Sequence, residues 1–121
     1  MSSNFTVPFT AIIDSREQTP SDLGDIPFEN GTLCTGDYSI KGLEKFIRIE
    51  RKSLQDLVQC VGRERERFER EITRLKGFPH KAILVEADYF KIYSGAWRGN
   101  ITPKQVIGSL CRWQLEGIPI V

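Results

Sequence analysis

The sequence predicts an α/β domain, and three observations predict it. Short apolar runs that end abruptly in charge, "FTAIIDSRE" and "KFIRIERK", have the form of strands emerging among polar groups. Stretches with helix-period apolar faces open at capping residues, Ser53 and Thr102. The run "HKAILVEAD" is continuously apolar in the way of a strand covered on both faces. With 121 residues and 40% apolar composition, one domain is expected, because chains of about 100 to 150 residues bury a single core unaided.

The first strand ends at Asp14, with Arg16 and Glu17 just beyond, and strand ends are where open α/β sheets place their chemistry. A loop through Pro20, Gly24 and Pro27 follows, made mostly of turn residues and given no chemical role. "TLCTGDYSI" and "KFIRIERK" then make an antiparallel hairpin connected around Lys41, Gly42 and Leu43. If its centre lies between Leu43 and Glu44, Asp37 falls opposite Glu50, and opposed residues share a face with β-carbons about 4.5 to 5.5 Å apart. Alternation sends Glu50 and Lys52 to one side of their strand and Ile47, Ile49 and Arg51 to the other.

Ser53 caps a helix whose start Asp56 favours and whose apolar face is Leu54, Leu57, Val58 and Val61; Gly62 breaks or bends it. A second helix, Arg63 to Lys76, turns Phe68, Ile72 and Leu75 inward. Opposite them Arg63, Arg67, Arg70 and Arg74 fall within about 60° of one another, at about 100° per residue, as an outward stripe. Such a stripe suits either phosphate contact or a solvated face paired with Glu64, Glu66, Glu69 and Glu71. After the "HKAILVEAD" strand, with His80 at its entrance, Tyr89, Phe90, Tyr93 and Trp97 are expected chiefly as packing residues, the rival use being platforms for unpaired bases. A last helix is opened by Thr102 and Pro103 and closed by Gly117, and "IPIV" begins another strand.

Seventeen basic and sixteen acidic residues leave a net charge of +1, so a nucleic-acid partner would be held by local patches. Cys34, Cys60 and Cys111 are odd in number and lack a CxxC pair, and so are expected as small buried hydrophobes, not as disulfides or zinc ligands. One histidine and no suitable cysteine partner disfavour Ser-His or Cys-His hydrolysis. The start lacks a signal-peptide pattern and no run is long enough to span a membrane, which points to an intracellular protein with no membrane partner.

The triplet Glu50, Arg51, Lys52 after a strand has no obvious structural purpose. Carboxylates gathered at strand ends beside a lysine suit a hard divalent cation, which takes oxygen ligands, relieves their repulsion and activates water against a phosphodiester. The alternative is an ordinary surface ion-pair network of Asp37, Glu50, Arg51 and Lys52.

Gly36 and Asp37, then Glu50, Arg51, Lys52 and, after three residues, Asp56, resemble the GD…ERKxxxD signature of the XPF-type structure-specific endonucleases. The strand ending "IIDSRE", the "GR" at Gly62 and Arg63, "AILVEA" and "GIPIV" extend that resemblance over nearly the whole chain. It implies a restriction-endonuclease-like fold, a mixed sheet flanked by helices, and magnesium- or manganese-dependent cutting of branched or flap DNA in repair or recombination. It further implies Asp14, Asp37 and Glu50 as metal ligands, the Arg51 carbonyl as a further one, and Lys52 as the base-like or charge-stabilising group. Arg16, Glu17, Arg51, Asp56 and Arg63 would support that centre, and Arg63 foremost, with Arg67, would contact DNA. Glu86 matches an acidic family position, with a structural role preferred. A non-catalytic DNA-binding or scaffold subunit is the rival, although the full acidic and lysine set argues for an enzyme.

Many members continue into a final helix and a tandem helix-hairpin-helix domain, whereas this chain stops at Val121. The expectation is an excised catalytic domain or a short stand-alone form, cytoplasmic if microbial or phage and nuclear if eukaryotic. The family habit of pairing implies a homodimer, or a heterodimer with a second nuclease-like chain, through the face of Val106, Leu110 and Trp113.

Overall fold

The computed structural model describes residues 9–17 and 23–121. Four strands come first: β1 (Ala11–Asp14), β2 (Phe28–Gly31), β3 (Tyr38–Ile40) and β4 (Ile47–Ser53). The chain continues through α1 (Leu54–Val61), α2 (Arg65–Leu75), β5 (His80–Glu86), α3 (Tyr89–Ser94) and α4 (Pro103–Leu115). Among the described residues the strands form one mixed sheet in the order β2-β1-β3-β4-β5. The outer pairs are parallel and the two inner pairs antiparallel. Beyond β5, Ile120 bridges Ile83 in parallel and Val121 donates its N–H to the Ile83 carbonyl, so "IPIV" does extend the sheet.

Helices cover one face of this sheet. Ile83 projects from β5 into a core with Leu57, Phe68, Ile72, Val106 and Trp113, and the Phe68 and Trp113 rings meet edge to face at 5.1 Å. The other face carries Tyr38, Ile47, Ile49 and Leu84, which line an apolar groove of about 240 Å³. Local chemistry fixes the helix ends. The Asp56 N–H donates to the Ser53 hydroxyl at 3.2 Å, and Thr102 and Gln105 form a reciprocal capping box before Pro103. At Gly62 any Cβ would stand 2.8 Å from the Ile101 side chain, so the helix break and that packing contact need the same residue.

Several expectations change. β2 was not foreseen, because "FENG" has no strand pattern of its own and is ordered by parallel pairing with β1. "TLCTGDYSI" keeps only three residues as β3, since Gly36 adopts a φ of 80° and turns the chain. Arg63 lies in the turn before α2 and not on it, so the stripe is shorter than expected. β5 is fully buried only at Ile83, because helices cover just one of its faces. Cys60 is buried, but Cys34 and Cys111 are exposed, and all three are free thiols. Trp97 packs as expected and donates its Nε1–H to the Ile101 carbonyl, whereas Tyr89, Phe90 and Tyr93 stand in solvent on α3. The proposed pairing face is corrected too: Val106 and Trp113 are wholly buried inside the fold, because their spacing marks the stripe of α4 that faces α1 and α2.

No helix among the described residues is long and apolar enough to cross a membrane. Residues 1–8, where the signal-peptide pattern was sought, and Pro20 of the loop lie outside the described residues.

Candidate active site

The registers of three neighbouring strands put three carboxylates in a row. Ile13 pairs with Tyr38, so the next step sets Asp14 beside Asp37, whose carbonyl accepts the Asp14 N–H at 2.8 Å. Tyr38 pairs with Ile49, so the next step sets Asp37 beside Glu50, the hairpin register expected from the sequence. Glu50 pairs in turn with Ile83, which places the row on the helix-covered face. Gly36 makes the approach possible: its left-handed backbone brings Asp37 onto the sheet, and a Cβ there would press to 3.2 Å from the Ile49 carbonyl.

Each carboxylate has a different environment. Asp14 is 3% exposed and accepts the Leu33 N–H and the Arg16 Nε–H, both at 2.9 Å. Burial pushes its carboxyl up, but those donors and the Arg16 charge outweigh burial and hold it below its ordinary value. Asp37 accepts the Arg51 N–H at 2.8 Å, so the Arg51 backbone contact made here is through its amide. Glu50 lies 3.2 Å from Lys52 Nζ, yet burial and the charge of Asp37 push its carboxyl up to about 7. Burial also acts to lower the Lys52 ammonium, and Cys60, Glu50 and Asp37 more than offset it, so Lys52 stays above its ordinary value. Its Nζ sits 5.1 Å above the Phe68 ring.

Asp14, Arg16, Glu17, Asp37 and Glu50 line a polar cleft of about 610 Å³, closed on the far side by Arg67 and Glu71 of α2. Glu71, expected only as a surface partner of the arginine stripe, instead borders the cleft; its one further signal is a place four residues after Arg67 on the same helix side. Of the two arginines expected to meet DNA, Arg67 borders the cleft and Arg63 does not line it. Arg67 and Arg74 also pair with Glu64 and Glu71 along the helix. Asp56 is exposed at the start of α1, where its amide rather than its carboxylate makes the cap.

Arg51 points to the opposite face, as its parity requires. It grips Glu86 with two hydrogen bonds of 2.6 and 2.7 Å and lies 3.7 Å from Glu17. Glu86 thus takes a structural part. Arg48 was also missed: it is buried, donates to the Glu44 and Thr35 carbonyls and stacks over Phe78 at 4.6 Å, anchoring the turn that delivers Asp37.

The row suits a hard cation as a donor set, because Glu50 is buried beside Asp37 and Lys52 offsets only part of the cost. Among the described residues, however, no three His, Cys, Asp or Glu side chains converge to cage an ion.

The profile of the ERCC4 domain matches residues 13–121. The solved structure of XPF from Aeropyrum pernix, in complex with DNA, superposes with a TM-score of 0.70 at 22% identity. That match covers 93% of this chain and 55% of the other, so the chain spans about half the length of that relative. No curated protein sequence matches significantly.

Proposed function

This chain belongs to the ERCC4-domain family, and on that premise we propose that it is a divalent-metal-dependent endonuclease domain that hydrolyses DNA phosphodiester bonds at branched or flap structures. The observation that carries the proposal is the row of Asp14, Asp37 and Glu50 along one polar cleft, with the Glu50 carboxyl raised to about 7 by burial and by Asp37. Such an arrangement costs stability in the free chain and is relieved by a cation. The similar structure is a complex with DNA, which supports the same class of substrate.

Magnesium or manganese bound there would polarise a phosphodiester oxygen and supply hydroxide near neutral pH. Asp37 and Glu50 would hold the ion, and Asp14, fixed by Leu33 and Arg16, would orient its water shell. Lys52 remains protonated, which favours charge stabilisation over a base role: its ammonium would meet the negative charge that develops on the phosphate. Arg67, at the far wall of the cleft, would contact a flanking phosphate. The Arg51 side chain, held by Glu86, would keep β4 in register while its amide fixes Asp37.

The test is a cleavage assay on duplex, single-stranded, splayed-arm and flap DNA with and without magnesium or manganese. Metal-dependent cutting that favours the branched substrates is expected; no cutting of any substrate sinks the proposal. A scaffold that binds DNA without cutting is the second reading, and the observation on its side is that no three acidic side chains cage an ion among the described residues. Binding of flap DNA without cleavage in either metal would establish it. Pairing with a second nuclease-like chain, identical or not, belongs to the proposal too, and sedimentation across a range of concentrations tests it.

A further inference from the structure

Helix α3 presents what a folded domain ordinarily hides. Tyr89, Phe90 and Tyr93 are 76%, 78% and 65% exposed, while Ile92 alone of its residues is buried in the core. The Tyr89 and Tyr93 rings lie 6.4 Å apart with a tilt of 32°, and both residues are largely open to solvent. Both rings border an apolar groove of about 280 Å³ that also reaches Ile107 and Leu110 of α4. Uncovered aromatic area of this size gives nothing to folding, and each ring gains only when something planar or apolar covers it.

Charge decides what covers it. From Ala87 to Gln105 the chain carries Lys91, Arg98 and Lys104 against a single acid, Asp88, which is occupied as the α3 cap. All three cations are exposed, and none makes an ion pair among the described residues. A second copy of this face would bring the same positive charge, whereas a polyanion with planar bases satisfies rings and cations together. Position agrees with this. β4 and β5 run parallel with Ser53 beside Glu86, so α3 leaves the sheet at the end toward which β4 runs after Glu50, which lines the cleft.

We propose that the exposed face of α3, with Tyr89, Phe90 and Tyr93 flanked by Lys91, Arg98 and Lys104, is a stacking platform for the unpaired bases of single-stranded DNA. It rests on the nuclease proposal above for its context and deepens it: the platform would hold the unpaired arm of a branched substrate while the carboxylate cleft faces the bond to be cut. Stacking is indifferent to base identity, so the platform selects strand state and not sequence.

The test measures binding of a labelled oligo(dT) of about fifteen nucleotides by anisotropy, without divalent metal so that no cleavage intervenes. Phe90→Ala should weaken binding about tenfold, and Tyr89→Ala with Tyr93→Ala up to about a hundredfold, with duplex affinity little changed. Tyr93→Phe keeps the ring and should bind as wild type. Lys91→Ala with Arg98→Ala should reduce the salt slope of oligo(dT) binding by about one to two units. Photocrosslinking of the unaltered chain to an iodouracil oligonucleotide should label Tyr89, Phe90 or Tyr93, a result independent of how any variant folds. Oligo(dT) affinity unchanged in the alanine variants, or crosslinks confined elsewhere, would overturn the platform. A shift from dimer to monomer in those variants at constant oligo(dT) affinity would also overturn it and make the face a protein interface. Platform and nuclease readings fail separately: oligo(dT) binding lost with the rings in a chain that cuts nothing keeps the first, and metal-dependent cutting with ring-independent binding keeps the second.

Discussion

The two sides of β4 carry adjacent charges to opposite ends. On one side Arg51 meets Glu86 and Glu17, cation against anions, with the guanidinium held above its ordinary value chiefly by the hydrogen bond to Glu86. On the other side Glu50 lies beside Asp37, anion against anion, and Lys52 relieves only part of the strain, so the Glu50 carboxyl rises to about 7. Residues one position apart in sequence therefore follow different rules. Arg51 and Glu86 are placed as folding would place them, whereas Glu50 is buried beside another carboxylate at a cost to folding, a pattern that clusters at functional sites.

The sharpest way to break this contrast is to neutralise the anions. Asp37→Asn and Glu50→Gln should each abolish metal-dependent cleavage, and in metal-free buffer each should leave the thermal midpoint unchanged or raised. If both variants cut as well as wild type, the cleft is not the active site; if both unfold, their charges were structural. Lys52→Ala should keep divalent-metal binding by calorimetry and lose about two or more orders of magnitude in turnover, as when a group acting on transition-state charge is removed. Loss of metal binding in this variant would reassign Lys52 to holding the carboxylates.

A pH titration sharpens the same comparison. Because the folded value of Glu50, about 7, exceeds its ordinary 4.5, the folded chain keeps a proton that the unfolded chain gives up between those limits. That stabilisation is complete below about pH 4.5 and is lost as pH rises through about 7, at a cost of at most about 3 kcal/mol. Denaturant unfolding of the metal-free chain should show the decline, and Glu50→Gln should flatten it. An equal decline in the variant would place the titrating group elsewhere.

Smaller effects are expected from the opposite face and from α2. Arg51→Ala should destabilise the fold by about 1 kcal/mol, because the lost pair is charge-assisted and two-pronged but partly exposed. Its residual activity, measured well below the melting transition, should exceed that of Lys52→Ala. Arg67→Ala should lower flap-DNA affinity modestly and its salt slope by about one unit, and more than Arg63→Ala, Arg70→Ala or Arg74→Ala. The sequence had favoured Arg63, and equal effects at all four would leave the stripe a solvated face.

Much of the site was legible because strand parity and hairpin register are short-range properties. The opposition of Asp37 and Glu50, the outward turn of Arg51, the Ser53 cap and the helix start at Thr102 and Pro103 all follow from spacing within one hairpin or one helix turn. β2 and Arg48 were not legible, because the strand exists only through pairing with β1 and the arginine is buried only through carbonyls offered by other segments. The sequence marked apolar stripes but not what would cover them. It showed that Val106 and Trp113 share a face and that Tyr89, Phe90 and Tyr93 cluster, yet packing sent the first pair into the core and left the second group in water.

By itself the sequence determined which side of β4, α1 and α4 their residues take, because backbone periodicity sets that within a few bonds. Only the tertiary structure decided that Asp14 completes the row beside Asp37, that Arg67 and Glu71 close the cleft, and that α3 keeps its rings exposed. Those outcomes depend on contacts between segments far apart in the chain, and periodicity carries no information about which distant surface arrives to meet a face.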